Sequence, residues 1–308
     1  MTTLNTQGIS LYYEVYGNSS HPPILLSGLG GSGKSWSTQI DRFATDYYVV
    51  VPDHRGTGRS THARSGYTTT QLATDMASLV EHLAVGPMHV VGASTGGAIG
   101  QYMALDHPQT VRTLTMVASF ARFDAFVQRE FEVRRKMAAE WERPALFSGY
   151  ALFLFSPNYT REHPDQVTAW IERAAAEPTG PEDREIALWR IDMIAAHDAL
   201  ARLGDIRQPT LVVCGDHDFC TPLPHSKKWP ARSLALSWRS LRTAAIWWRT
   251  KRERRSFRSS APLLGSTDRF REASEREAFF PPMTNALTAN AFVPPFWWTH
   301  LTCLKHSS

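Results

Sequence analysis

Short apolar runs and longer stretches of helical periodicity alternate along the first 120 residues. "ISLYYEVY" (residues 9–16) alternates in part and predicts a strand that forms one arm of an N-terminal hairpin. "PPILLS", "YYVVVPD", "MHVVGAS" and "VRTLTMVAS" are continuous apolar runs bounded by turn residues, the pattern of strands buried on both faces. Between them lie a helical stretch from about Ser35 to Ala44, "TTTQLATDMASLVEHLAV" with N-cap candidates at Thr68–Thr70, and "GGAIGQYMALDHP", stopped by Pro108. Strands alternating with helices predict an α/β fold with a mostly parallel, doubly wound sheet. From about Phe120 the rhythm changes. Residues 121–200 are rich in Arg, Glu, Ala and aromatics at helical spacing, which predicts an inserted helical lid. The strand pattern resumes in "PTLVVCGDHD" (Pro209–Asp218). The expected organisation is therefore core sheet over 1–120, lid over 121–200, an acid-bearing strand and loop over 201–226, and an aberrant tail over 227–308.

Composition changes the picture mainly at the tail. The formal net charge of +4 averages two unlike pieces. Residues 1–226 carry 18 Lys and Arg against 24 Asp and Glu (18 − 24 = −6), and residues 227–308 carry 15 against 5 (15 − 5 = +10). The tail also holds six of the ten tryptophans and one glycine, Gly265. A basic, aromatic segment can bind nucleic acid, but a loss of reading frame accounts for charge, tryptophan and glycine together. No nucleic-acid partner is therefore expected. The start, "MTTLNTQGIS", lacks the blocks of a signal peptide, and no run of about 18 apolar residues predicts a membrane span. Cys214, Cys220 and Cys303 have no metal-ligand spacing, so neither metal nor other cofactor is expected, and a reducing, cytoplasmic setting fits.

Two glycine-rich turns carry candidate chemistry. "GLGGSGKS" (Gly28–Ser35) has the letters of a phosphate-binding P-loop, G-x-x-x-x-G-K-S, after an apolar run. "GASTG" (Gly92–Gly96) is G-x-S-x-G between a strand and a helix, where a nucleophile elbow belongs; it would present Ser94 at the carboxyl edge of the sheet with the Thr95 N–H facing a developing oxyanion. "GDHDFCTP" (Gly215–Pro222) places Asp218 in a loop at the same edge, where a carboxylate can orient an imidazole or close an Asx turn.

Taken together, "SGLGGS", "DHRGTGRS", "GASTGG", "MALDHP" and "GDHDFCTP" resemble the α/β-hydrolase superfamily over about residues 5–226. Within it the chain is similar to the branch of 3-oxoadipate enol-lactonases and the aminoacrylate hydrolase of pyrimidine utilisation, the latter especially in "LSGLGGSGKSW" and "ALFLFSPNY". The resemblance implies a serine hydrolase of small carboxylic esters, lactones or related acyl compounds. Ser94 would be the nucleophile and Asp218 the acid, with a small acyl molecule as substrate. It also implies a second oxyanion N–H from Leu29, after a Ser27-Gly28 pair that stands where the family has His-Gly. In that setting Lys34 is expected to be solvated, and the NTPase reading weakens but stays open as a third alternative. Phe153, Phe155 and Trp189 are candidate walls of an acyl pocket, with ordinary lid packing as the competing reading.

The family's histidine, in a G-G-H-type loop after the acid, is missing. No histidine occurs between Ser226 and Thr299; His300 and His306 lie far beyond the expected place, and His197 and His225 are lid and loop residues by position. Codons for Trp229–Phe257 can be chosen so that the frame one nucleotide earlier reads "MARAIPGAELEVLEDGGHLVEDEARAEEF". That string has the strand and histidine loop the resemblance implies, with its histidine at the Ala245–Ile246 codon junction. A frame lost near Ser226–Lys228 then predicts a chain without its base and without its last strand and helix, poorly soluble and weakly hydrolytic. A cofactor-free haloperoxidase and a catalytically inactive binding protein are the alternatives on the same fold.

Overall fold

The computed structural model describes residues 2–18, 22–215 and 218–222, together with the backbone of Leu236–Leu241. Among the described residues eight strands form one sheet in the order β1-β2-β4-β3-β5-β6-β7-β8. β1 (Thr3–Thr6) and β2 (Ile9–Tyr16) make the N-terminal hairpin, and β2 pairs antiparallel with β4 (Val49–Pro52). From there β3 (Pro23–Leu26), β5 (Met88–Ala93), β6 (Val111–Val117), β7 (Thr210–Gly215) and β8 (Leu236–Leu241) run parallel.

The continuous apolar runs are explained by two covered faces. Along β3, Ile24 and Leu26 point into a core shared with α2 (Thr69–Leu83) and α3 (Thr95–Asp106), while Leu25 points into a second core with Trp36, Ile40 and Phe43. The latter residues come from the turn of 3₁₀ helix Gly33–Trp36 and from α1 (Ser37–Asp46). α2 buries Leu72, Ala73, Met76, Leu79 and Val80, one face at helical spacing, and its first turn is capped by Thr68, whose Oγ1 accepts from the Gln71 N–H at 3.0 Å.

Five helices fill the interval between β6 and β7: α4 (Ala125–Glu140), α5 (Arg143–Leu154), α6 (Pro157–Glu162), α7 (Pro164–Ala176) and α8 (Asp183–Ala195). α5, α6 and α7 enclose a small core of their own around Phe155, Tyr159 and Trp170. α4 and α8 join the main core through Val127, Phe131, Ala138, Ile191 and Ile194.

β8 corrects one expectation. The sequence reading expects no strand beyond Ser226, which would leave β7 as an open edge; instead Leu236–Leu241 pairs with it from Thr210↔Leu236 to Gly215↔Leu241. The physical reason lies in "LALSWRSL", where Leu234, Leu236 and Trp238 alternate with small or polar residues. That is a period-two pattern whichever frame produced it. The rest of the tail, His300 and His306 included, lies outside the described residues.

Candidate functional site

Because β3, β5 and β7 are parallel, their carboxyl ends share one edge of the sheet, and the three candidate loops meet there. Ser94 links β5 to α3 with φ 51° and ψ −114°, a conformation that costs a side-chain-bearing residue about 1–3 kcal/mol. Several bonds over-determine it. The Ser94 N–H donates to the Val117 carbonyl at 2.8 Å, and the Ser94 carbonyl accepts from the Gly97 N–H at 2.9 Å and from Ser119 Oγ at 2.8 Å. The flanking glycines follow from the crossing of strand and helix. A Cβ on Gly92 would stand 2.3 Å from the Gly96 carbonyl carbon, and one on Gly96 would stand 2.2 Å from the Leu26 carbonyl oxygen. The outcome is a half-buried Ser94 at the head of α3, whose first N–H groups, starting with that of Thr95, have no acceptor inside the helix.

The turn after β3 lies directly against this serine: a Cβ placed on Gly28 would be 3.6 Å from Ser94 Cβ. The Gly31 N–H closes the turn onto the Gly28 carbonyl at 2.9 Å. Ser27 supports it from below, donating through Oγ to the Ser32 carbonyl at 2.8 Å and accepting from Ser35 Oγ at 2.8 Å. Leu29 sits half-buried at the crest. The residues of the P-loop pattern are spent otherwise. Lys34 is exposed and pairs with Glu177 at 3.2 Å, and Ser35 bonds Ser27. Asp53, the carboxylate a nucleotide site would need, accepts from the Gly33 N–H at 2.7 Å, the Arg59 N–H at 2.9 Å and Arg59 Nε at 3.1 Å.

Asp218 follows β7, buried, with Oδ1 accepting from the Thr221 N–H at 2.7 Å and Oδ2 from Thr221 Oγ1 at 2.8 Å. The Asx-type turn is therefore real, and each oxygen retains a further lone pair for an imidazole. Burial pushes the Asp218 carboxyl up to about 7 against these hydrogen bonds, and the nearby Glu130 carboxylate adds to the rise. Glu130 comes from α4, paired at 3.2 Å with Arg134, whose Nη1 also reaches Cys220 Sγ at 3.0 Å.

A carboxyl held above its unfolded value near 4 binds its proton more readily in the folded state. It contributes stability below about pH 4 that is lost as pH rises through about 7. The buried His54 and His197, both held below the ordinary imidazole range, act in the opposite direction over part of that window. Asp218→Asn isolates the first effect. Relative to the unaltered chain, the variant is expected to gain stability between pH 4.5 and pH 8, read from urea midpoints at both.

Among the described residues no histidine stands as an assignable base. His197, pushed down to about 4 by burial, is engaged by Thr69 Oγ1 at 2.9 Å and Gln101 Oε1 at 3.4 Å and packs edge-on against Phe120 and Tyr102. His225, like the two tail histidines, falls outside the described residues. Of the expected pocket walls, Phe155 packs against Tyr159 and Trp170 inside the small core of α5–α7, so ordinary packing accounts for it. Trp189 stacks on Tyr67 with ring centres 5.6 Å apart. Phe153 faces Phe219, the exposed neighbour of Asp218, at 6.1 Å.

Three buried charged residues near these loops, Glu130 with its partner Arg134 and, separately, Arg190, are not among the sequence candidates. Their signal was present. Glu130 and Arg134 share a helix face with Val127, Phe131 and Ala138, and Arg190 shares one with Ile186, Ile191 and Ile194. A charge at an apolar position of an amphipathic helix is buried with it.

The model of a family described as alpha/beta hydrolase fold matches residues 23–237. The chain belongs to that family. This α/β hydrolase is 37% identical over 213 residues to "Putative carbamate hydrolase RutD" of Azorhizobium caulinodans, a match covering 69% of this chain and 78% of that protein. Among solved structures, the α/β hydrolase is similar to Est816, described as an N-acyl homoserine lactone degrading enzyme. That pair has TM-score 0.66 and 25% identity, covering 78% of this chain and 92% of the other. It also superposes on the enol-lactonase from Burkholderia xenovorans LB400 with TM-score 0.69 and 20% identity, covering 92% and 100%, a likeness of fold.

Proposed function

We propose that this hydrolase cleaves small carboxylic esters, lactones, carbamates or related acyl compounds through Ser94. The observation that carries the reading is the strained elbow at φ 51°, which a structural serine would not need. In this reading Ser94 Oγ attacks the acyl carbon and its proton passes to a base. The carbonyl oxygen becomes an oxyanion held by the Leu29 and Thr95 N–H groups. The tetrahedral intermediate collapses to an acyl-enzyme as the leaving group takes the proton back, and water releases the acid by the same steps. Asp218 would orient and stabilise the base when that base is an imidazole. The activities named for its relatives, carbamate hydrolysis and N-acyl homoserine lactone degradation, support the substrate class.

The missing histidine makes turnover the weak point. We further propose that the frame is lost near Ser226–Lys228, which sequencing of the encoding DNA decides: a neighbouring frame with a G-G-H loop supports it, and its absence ends the idea. The chain as written is expected to be labelled at Ser94 by a fluorophosphonate probe and to hydrolyse p-nitrophenyl acetate feebly, with Ser94→Ala losing both. A fast turnover abolished by Ser94→Ala would show that another histidine has been recruited. The absence of a histidine between Ser226 and Thr299 also favours a second reading, a binding protein on a hydrolase scaffold. Failure of the probe to label Ser94 would select it.

A further inference from the structure

We propose that Arg190, on α8 of the insertion, is a positioning residue that clamps the Ser27–Ser32 turn and so aims the Leu29 N–H. This rests on the reading of that N–H as an oxyanion donor.

Arg190 is 2% exposed, and among the described residues its guanidinium forms no ion pair with a carboxylate. Its donors are spent on three acceptors from two different loops. Nε donates to the Leu29 carbonyl at 3.0 Å, Nη1 donates to the Arg55 carbonyl at 3.0 Å, and Nη2 meets His54 Nδ1 at 3.4 Å. Burial holds His54 neutral, so its Nδ1 can accept from the cation. Burial also lowers Arg190, to about 10, which leaves it charged at neutral pH.

Close approach is built into the turn. Gly31 has φ 68°, and a Cβ there would stand 2.7 Å from Arg190 Nη2 and 2.7 Å from Thr57 Cγ2. A desolvated cation held mainly by backbone carbonyls is a costly way to tie a helix to a loop. What it provides is direction, because a planar guanidinium fixes several acceptors at once. The peptide joining Leu29 to Gly30 is planar, so holding its carbonyl sets its orientation. The Gly28–Gly31 hydrogen bond fixes the other side of the turn. Between those restraints the Leu29 N–H has little freedom, and the restraint is delivered by the insertion, not by the core sheet.

The test uses the full chain with Arg190→Met and Arg190→Lys. Amide hydrogen exchange over residues 28–31 is compared with that over 88–98, and the fluorophosphonate reaction of Ser94 is resolved into its maximal rate and its half-saturating concentration. In Arg190→Met the amides of 29–31 are expected to exchange at least tenfold faster while 88–98 is unchanged. The maximal labelling rate should drop about tenfold or more with half-saturation within twofold, as misplacement by a fraction of an ångström implies. Arg190→Lys, which keeps the charge but not the fork, should fall between, and it carries the same readouts should Arg190→Met not fold. Unchanged exchange at 29–31, or an equal rise through 88–98, overturns the clamp. If Ser94 of the unaltered chain is not labelled at all, the proposed function fails, while the exchange comparison still decides whether Arg190 holds the turn.

Discussion

Gly96→Ala is expected to destabilise the fold by more than about 4 kcal/mol, enough to leave most of the chain unfolded or insoluble. The added methyl would meet the Leu26 carbonyl oxygen at 2.2 Å, the Leu26 carbonyl carbon at 2.6 Å and the Ser27 carbonyl oxygen at 2.8 Å. All three are backbone atoms, so no rotamer change relieves the overlap; either α3 lifts from the sheet or β3 shifts. Neither is cheap, since Leu26 and Ala98 are fully buried within one core. The measurement is the urea midpoint against the unaltered chain, with Gly30→Ala as the control, since a Cβ on Gly30 has nothing within 4 Å. A midpoint for Gly96→Ala within the error of the control would refute the elbow geometry.

The second large effect lies away from the serine. Asp75→Ala should cost about 3–5 kcal/mol, the usual penalty for stranding one member of a buried ion pair. Asp75 on α2 is fully buried and takes two bonds from Arg55, Nε at 2.9 Å and Nη2 at 2.8 Å, with a third from Gln71 Nε2 at 3.1 Å. Removing the carboxylate leaves the guanidinium inside, where it retains the Gln7 carbonyl at 3.3 Å. The loss should reach the sheet edge that bears Ser94 as well, because Arg55 lies in the loop that carries Asp53 and His54, and these hold Gly33 and Gly31 of the turn after β3. Asp75→Asn, which keeps the shape and one acceptor, is expected to recover part of the stability. Chemical denaturation of both variants checks the ordering.

What could be read from the sequence was whatever is encoded locally. The five buried runs, the caps of α2 and the G-x-S-x-G turn each depend on neighbours within a few residues, and the family match and the sheet bear out the α/β-hydrolase fold they imply. The Gly28–Ser35 turn reads against a P-loop because its letters come with "DHRGTGRS", and in the structure Asp53 is taken by Gly33 and Arg59 and Lys34 by Glu177. Arg190 and Glu130 were missed because a charge within a helical stretch reads as a solvated face unless its position on that face is traced. β8 is legible only as the alternation of Leu234, Leu236 and Trp238, because its segment carries none of the family's motifs. Phe155 looked like a pocket wall because aromatic content says nothing of which helix it packs against.

The strand order also sets a timetable. Every group proposed to hold the oxyanion, along with the serine itself, belongs to the contiguous stretch from β3 to α3, whose parallel pairings, Ile24 with Val50 and Pro23 with His89, close shorter loops than the pairing of β6 with β7. Asp218 arrives only after the chain has travelled through five helices to pair Leu114 with Thr210. Closing so long a loop is the slow kind of step in folding. The part of the edge that bears Ser94 and Leu29 is therefore expected to pair before the part that bears Asp218, and Arg190 tightens the Leu29 turn only once the insertion has docked.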